Sequence, residues 1–115
     1  MNEPFFSTDY LLVINVAIAR LLSNDNRILT IRIIGHFNYS ESRDFRAAYS
    51  DTLKSGLDYI IDLRLTKHVD SSGLGMLLSM KKRLPNGTSI LIVNCSSQTK
   101  TILHCSRLDR MFQIS

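Results

Sequence analysis

Short polar clusters separate hydrophobic segments along the chain, and the spacing of the apolar residues predicts strands and helices in turn. The apolar segment 11–22, rich in Val and Ile, predicts a strand. The turn cluster 23–26 separates it from a β-branched segment, 27–34, which predicts a second strand. Their short connection favours a hairpin. We expect residues 1–10 to be a loose leader and 11–115 to form a single domain.

The next part of the chain predicts two helices and two strands. Ser40 is expected to cap the first helix, whose apolar residues recur at helical spacing, and Gly56 is expected to end it. Apolar runs at 57–63 and 89–94 predict strands. The amphipathic segment 74–84 between them predicts the second helix. The nearly continuous apolar run at 89–94 indicates a strand covered on both faces, or on one face and an edge.

Alternation of strands and helices continues to the end of the chain. Ser96 or Ser97 is expected to cap a third helix that runs to about His104, before a short terminal helix or turn. The resulting order is β-β-α-β-α-β-α. It predicts an α/β fold with a mixed, mostly parallel sheet and helices packed against it. Loops after parallel strands meet at one edge of such a sheet, and the loop at 70–73 is one of them.

The junction between the central strand and the second helix is the richest in candidate chemistry. It runs Asp70-Ser71-Ser72-Gly73-Leu74-Gly75-Met76. The first turn of a helix carries unpaired N–H groups and a partial positive charge, so it favours an anion, including a phosphate on one of its own serines. A simpler interpretation is that Asp70 or Ser71 caps the helix and the glycines serve packing. One helix needs only one capping side chain, but this junction offers three, and its two glycines weaken a helix. The excess of small and polar residues predicts a surface for a protein contact.

Composition and charge narrow the class of protein. The 115 residues are 44% hydrophobic and 21% charged, which is typical of a soluble globular domain. The net charge of +4 is scattered, and the one dense cluster, Lys81-Lys82-Arg83, is interpreted as a solvated helix end rather than a contact for an acidic protein. Few aromatic residues lie among the basic ones, so no direct nucleic-acid binding is expected.

The apolar runs and the cysteines indicate the cellular compartment of the protein. The apolar run at 10–19 is shorter than the roughly 20 residues that cross a bilayer, so no membrane insertion is expected. No basic secretory start precedes it. Cys95 and Cys105 form no CxxC pair and no metal-ligand spacing, which favours a reducing cytoplasm. Both cysteines are expected to be small core residues.

Catalytic motifs are absent from the sequence. It contains no GxSxG, HExxH, Walker A or GxGxxG pattern, so neither a cofactor nor a metal is expected. His36, His68 and His104 show no ligand spacing. A small serine hydrolase built on His68 and Asp70 is a remote alternative, because so short a chain leaves little room for a substrate cleft. The protein is therefore not expected to be an enzyme.

The Asp-Ser-Ser-Gly-Leu-Gly sequence at 70–75 resembles the phosphorylation-site signature of STAS domains. These include the bacterial anti-sigma factor antagonists of the SpoIIAA and RsbV kind. The resemblance extends to the apolar pair and Gly-x-Phe-Asn at 33–38, the central strand at 60–63, the strand at 90–93 and the closing segment at 105–112. It implies the STAS fold and a regulatory protein contact.

The resemblance also implies specific roles and partners. The serine directly after the aspartate is the family's phosphoacceptor, which corresponds to Ser71, with Ser72 as a secondary candidate. Unphosphorylated, such a domain binds an anti-sigma factor that is also a serine kinase with a GHKL-type ATP site. Phosphorylation breaks the complex, and a PP2C-like phosphatase restores it. The implied partner-binding residues are Asn38, Asp70, Ser72, Gly73, Leu74, Gly75 and Met76.

Two points stay open at this stage. A non-switching STAS subunit, bound to the ATPase of an ABC-type lipid-transport complex, is the alternative function; that class often has another residue at the acceptor position.

The approach to the site is also unusually basic for the family, with Arg64, Lys67 and His68. These side chains either favour an acidic partner or steady a phosphate, or they belong to an ordinary solvated loop.

Overall fold

A computed structural model describes residues 11–15 and 17–115 of the protein. These residues form a six-stranded sheet, a separate two-stranded sheet and three α-helices. The strands are β1 (Leu11–Asn15), β2 (Ile18–Leu22), β3 (Ile28–Ile33), β4 (Gly35–Phe37), β5 (Asp58–Asp62), β6 (Thr66–Val69), β7 (Ile90–Val93) and β8 (Gln113–Ile114). The helices are α1 (Ser42–Ser50), α2 (Ser71–Arg83) and α3 (Ser97–Cys105). The leader predicted at 1–10 lies outside the described residues.

The main sheet has the mixed, mostly parallel arrangement that the sequence predicts. Its strand order is β1-β2-β3-β5-β7-β8, with β1, β2 and β3 antiparallel and the remaining neighbours parallel. Alternate residues of β3, β5 and β7 point into the core, because successive side chains of a strand face opposite sides. In β7, Ile90 and Ile92 are buried, whereas Leu91 and Val93 are only half-buried. This strand is therefore fully covered on one face alone.

The prediction of a single strand at 11–22 is wrong. The segment folds into two strands that pair with each other, Leu11 lying opposite Leu21. The chain reverses near Ala17 without a Gly, Pro or polar cluster. Composition therefore carries no signal of this turn.

The small sheet of β4 and β6 was not predicted. The two strands pair in parallel, with His36 opposite His68 and Phe37 opposite Val69. Phe37 and Val69 are buried, while the two histidine rings stack on the exposed side with their centroids 5.0 Å apart. β4 has three residues and β6 has four, so each strand shows too few changes between apolar and polar residues to be predicted from the sequence. The small sheet sets where α2 begins.

The first helix, α1, begins and ends at other residues than the sequence predicts. A 3-10 turn (Tyr39–Glu41) precedes α1, and Asn38 caps that turn by accepting a hydrogen bond from the Ser40 backbone N–H at 3.0 Å. The prediction that Ser40 caps the helix is therefore wrong: Asn38 caps the 3-10 turn, and the N-cap position of α1 is Glu41, whose side chain makes no capping hydrogen bond. Gly56 has a left-handed φ of +70°, but α1 itself ends at Ser50.

The cap of α3 agrees with the sequence prediction, whereas only one of the two cysteines packs against the core. Ser96 caps α3 by accepting from the backbone N–H of Thr99 at 3.1 Å, as predicted. Cys95 is half-buried and packs against the core. Cys105 is exposed, so the prediction of a core residue is wrong there. It ends α3, where Leu103 occupies the inward-facing position instead.

A buried carboxylate ties the ends of three neighbouring strands together. Asp62, only 3% exposed at the end of β5, accepts hydrogen bonds from Arg32 Nε at 3.1 Å and Asn94 Nδ2 at 3.0 Å. Arg64 contributes its Nε at 3.3 Å and its backbone N–H at 3.1 Å. Burial alone would raise the pKa of Asp62, but these hydrogen bonds and the two guanidinium charges together hold that pKa below its usual value.

We expect Asp62→Asn to lower the free energy of unfolding by about 2–3 kcal/mol at neutral pH, because it leaves buried donors without their charged acceptor. The folded-state pKa lies below the ordinary value of 3.8, so the carboxylate's contribution is complete above that value and is lost as the pH falls through the folded pKa. Urea denaturation of both proteins across the acid range checks this. The exposed Asp58→Asn is the control, and a difference between wild type and Asp62→Asn that persists unchanged in acid contradicts the expectation.

Candidate functional site

The N-terminus of α2 is built around Asp70, which follows β6 directly. Its Oδ1 accepts a hydrogen bond from the Ser72 hydroxyl at 2.6 Å and from the Gly73 backbone N–H at 2.9 Å. These two hydrogen bonds, the Ser72 one foremost, lower the pKa of Asp70. Asp70 is therefore an ionised N-cap, and α2 begins at Ser71, three residues earlier than predicted. The serines belong to the first helical turn, not to a loop.

Ser71 differs from the other polar side chains of this junction. It is the first residue of α2 and is exposed. Asp70 and Ser72 are joined to each other, whereas no residue in the described part of the chain hydrogen-bonds the Ser71 hydroxyl. Of the three candidate caps, Asp70 caps the helix and Ser72 hydrogen-bonds Asp70. Ser71 presents its hydroxyl to solvent at the positive end of the helix.

The two glycines of the signature have separate structural roles. Gly73 is buried, and a Cβ there would run into the carbonyl oxygen of Phe37 and lie 3.2 Å from Val69 Cγ1. Its lack of a side chain lets the first turn of α2 rest directly on β4 and β6. Gly75 is exposed with nothing within 4 Å of its Cβ position. It leaves a flat surface one turn from Ser71.

Leu74, Met76 and Asn38 flank this flat surface or adjoin it. Leu74 and Met76 are half-buried and pack against the core, so each offers only part of its surface. Asn38 is half-buried, and its Oδ1 is engaged by the backbone N–H and hydroxyl of Ser40. It follows Phe37, the residue on which Gly73 rests. The structure thus brings the predicted contact residues to one end of the domain.

Three exposed residues of this region were not singled out by the sequence analysis as surface residues. The side chain of Tyr39 is 75% exposed and that of Leu65 is 48% exposed. His36, the third, stacks on His68 on the exposed face of the β4–β6 sheet. No sequence period marks the histidine pair, since only the pairing of β4 with β6 brings the two rings together.

The basic residues on the approach to the site do not act as a group. Arg64 is held by Asp62, and His68 stacks on His36. Lys67 is exposed on β6. In the described part of the chain no hydrogen bond links His68 to Asp70 or to a serine, so a Ser-His-Asp arrangement is not assembled there.

The described residues contain neither a metal-binding cluster nor a membrane-spanning helix. No group of three or more His, Cys, Asp or Glu side chains within 17–115 is arranged to hold a metal ion. No helix in the described ranges has the length and apolar character needed to cross a membrane.

Comparison with known proteins identifies a family. A family model described as the STAS domain matches residues 20–115. The chain is 38% identical over 101 residues to a STAS-domain containing protein from Pseudomonas aeruginosa (strain UCBPP-PA14), which covers 87% of this chain and 100% of that relative.

Solved structures with low sequence identity share the fold. An anti-sigma factor antagonist from Mycobacterium paratuberculosis superposes with a TM-score of 0.71 at 19% identity, covering 85% of both chains. The phosphorylated form of the Bacillus cell fate determinant SpoIIAA gives 0.67 at 20% identity, covering 86% of this chain and 91% of that one. The predicted fold class is confirmed.

Proposed function

The chain belongs to the STAS domain family, and we propose that it is an anti-sigma factor antagonist in a partner-switching pathway. Unphosphorylated, it binds an anti-sigma factor that is also a GHKL-type serine kinase, and this binding frees the sigma factor. Phosphorylation of Ser71 breaks the complex, and a PP2C-like phosphatase restores the binding form. The protein is a binding module and a kinase substrate, and performs no chemistry itself.

One observation supports Ser71 as the acceptor above the others: its side chain is exposed at the start of α2 and no described residue hydrogen-bonds its hydroxyl, while that of Ser72 is bound to Asp70. A kinase needs an accessible hydroxyl whose oxygen attacks the γ-phosphorus of ATP as ADP leaves and a base of the kinase takes the proton. Ser71 meets this need without breaking the cap. Gly75, one turn further on, leaves room for the partner to approach.

The charge at the junction explains why phosphate would act as a switch. A phosphoserine carries about −1.5 to −2 charges and would follow the ionised Asp70 directly. In solution, the helix N-terminus holds this phosphate without refolding the domain. At a protein interface, the added charge must be desolvated, and a loss of only about 1.4 kcal/mol weakens binding tenfold.

Phosphate mapping tests the assignment of the acceptor. The protein is incubated with ATP and candidate GHKL-type serine kinases of the source organism, and modified sites are located by mass spectrometry. We expect one phosphate, on Ser71, that disappears in Ser71→Ala and remains in Ser72→Ala. Phosphate that persists in Ser71→Ala contradicts the assignment. Stable co-purification with an ABC-transporter ATPase, with no phosphorylation, supports the non-switching subunit instead.

A further inference from the structure

A groove of about 430 Å³ separates α1 from α2 on the side of the domain that carries Met76. Its floor is apolar, formed by the buried rings of Phe45 and Tyr49 and by Met76. Three exposed arginines surround this floor: Arg43 and Arg46 from α1 and Arg83 from α2. No acidic residue lines the groove among the described residues. The groove therefore combines an apolar centre with a positive rim.

Among the described residues, no ion pair accounts for the three arginines of the rim. Within the described residues, Arg43, Arg46 and Arg83 form no ion pair with a carboxylate. Arg83 is in the last turn of α2, where the helix dipole favours a cation. Arg43, however, is the second residue of α1, where the dipole disfavours one, and α1 lacks a side-chain N-cap. The fold alone gives no reason for a cation at this position.

The groove adjoins the proposed phosphoacceptor surface on a neighbouring side of α2. Ser72, Met76, Ser79 and Arg83 recur at intervals of four, three and four residues, so they share one face of α2. Met76 lies five residues after Ser71, about 7.5 Å along the helix axis and about 140° around it. A protein that covers Ser71 and Gly75 therefore reaches the groove with its next helix or loop.

We propose that the α1–α2 groove receives an acidic amphipathic helix of the protein partner, an inference that rests on the proposed function. One apolar residue of that helix packs on the exposed part of Met76, above the buried rings of Phe45 and Tyr49, as in other helix-in-groove contacts. Its Asp or Glu side chains pair with the guanidinium groups, which bind carboxylates in a planar, two-bond geometry. The groove thus selects the partner by charge and stays clear of the phosphate.

Nucleic acid fits the same surface less well. Proteins that bind single-stranded nucleic acid stack its bases on exposed aromatic rings, but the side chain of Phe45 is only 1% exposed and that of Tyr49 only 2%. Three cations around an apolar floor also differ from the long basic track that follows a phosphate backbone.

The test uses the full-length, isotope-labelled protein and two synthetic helical peptides of equal length and equal apolar positions. One peptide carries Glu at every polar position and the other carries Gln. We expect the Glu peptide to shift the backbone amide resonances of Arg46, Met76 and Ser79, and the Gln peptide to leave them unchanged. Binding of the Glu peptide should weaken with added salt. Equal binding of both peptides, or shifts confined to residues outside the groove, overturns the proposal.

Charge variants with matched controls sharpen the result. Replacing the three rim arginines with Gln should weaken Glu-peptide binding at least tenfold. Replacing Lys54, Lys82 and Lys100 with Gln removes the same charge from exposed positions outside the groove and should change it less than twofold. Arg46→Glu, which lowers the charge of the three-arginine rim to +1, should weaken Glu-peptide binding more than Lys54→Glu does outside the groove, which keeps the test valid if the triple variant folds poorly. Comparable losses in the arginine and lysine triple variants overturn the proposal.

A third arm separates this proposal from the proposed function. Ser71→Asp should bind the Glu peptide within twofold of wild type, because the groove excludes Ser71. If the peptide binds but phosphorylation of Ser71 leaves the intact partner bound, the switch is wrong and the groove stands. If the peptide fails to bind while phosphorylation releases the partner, the groove is wrong and the switch stands. Groove shifts with polyuridine or ATP, and none with the Glu peptide, assign the surface to a different ligand and overturn the proposal.

Discussion

Aspartate in place of Ser71 is expected to weaken binding of the anti-sigma factor at least tenfold, a loss of about 1.4 kcal/mol or more. The new carboxylate directly follows the ionised Asp70 and lies one turn from the open surface at Gly75. Both charges must lose water when the partner closes over them, and they repel each other. Isothermal titration calorimetry with the purified partner measures the effect.

Two matched variants separate the charge at position 71 from the loss of the hydroxyl group. Ser71→Asn has nearly the shape of aspartate without its charge, and Ser71→Ala removes the hydroxyl; both should bind close to wild-type strength. The fold itself should tolerate Ser71→Asp, because an acidic residue in the first turn of a helix is electrostatically favourable. If Ser71→Asp and Ser71→Asn bind equally well, the proposed electrostatic switch is incorrect.

Alanine at position 73 is expected to lower the free energy of unfolding by about 2–3 kcal/mol. Its Cβ would run into the carbonyl oxygen of Phe37 and would also crowd Phe37 Cδ2 at 3.1 Å. The obstacle is backbone, so relief requires α2 to move away from β4. The edge-to-face packing of Phe37 on Phe45, whose ring centroids are 5.0 Å apart, would loosen with it.

Gly75 supplies the control for this prediction. A Cβ there meets nothing within 4 Å, so Gly75→Ala should raise the free energy of unfolding by up to about 1 kcal/mol through helix propensity alone. Urea denaturation of both variants measures the contrast. A Gly73→Ala protein as stable as wild type would show that close packing does not explain this glycine.

The sequence predicts the order of the longer strands and of the three helices, because each of these elements has its own local pattern. Each main strand is an apolar run, and the second helix repeats its apolar residues at helical spacing. The Asp-Ser-Ser-Gly-Leu-Gly signature lies where helix capping requires polar side chains, and the structure puts Asp70 in that capping position. Which serine stays free follows only from the hydrogen bond between Ser72 and Asp70.

The remaining features depend on contacts that local patterns do not encode. The hairpin of β1 and β2 turns at Ala17 without a polar signal, and β4 and β6 are too short to show alternation. Ser40 is a suitable cap by type, yet it lies inside a 3-10 turn that Asn38 caps, and α1 begins only after Glu41. Arg43, Arg46 and Arg83 are spread over two helices in sequence and meet around a groove only when α1 and α2 pack together.

The most direct test of the account is the affinity of one protein sample for its anti-sigma factor in three states: unmodified, phosphorylated by the kinase, and treated afterwards with the phosphatase. Mass spectrometry of the same sample confirms a single phosphate on Ser71. We expect tight binding, then a loss of at least tenfold, then full recovery. Binding that stays equally tight while Ser71 is fully phosphorylated would contradict the account.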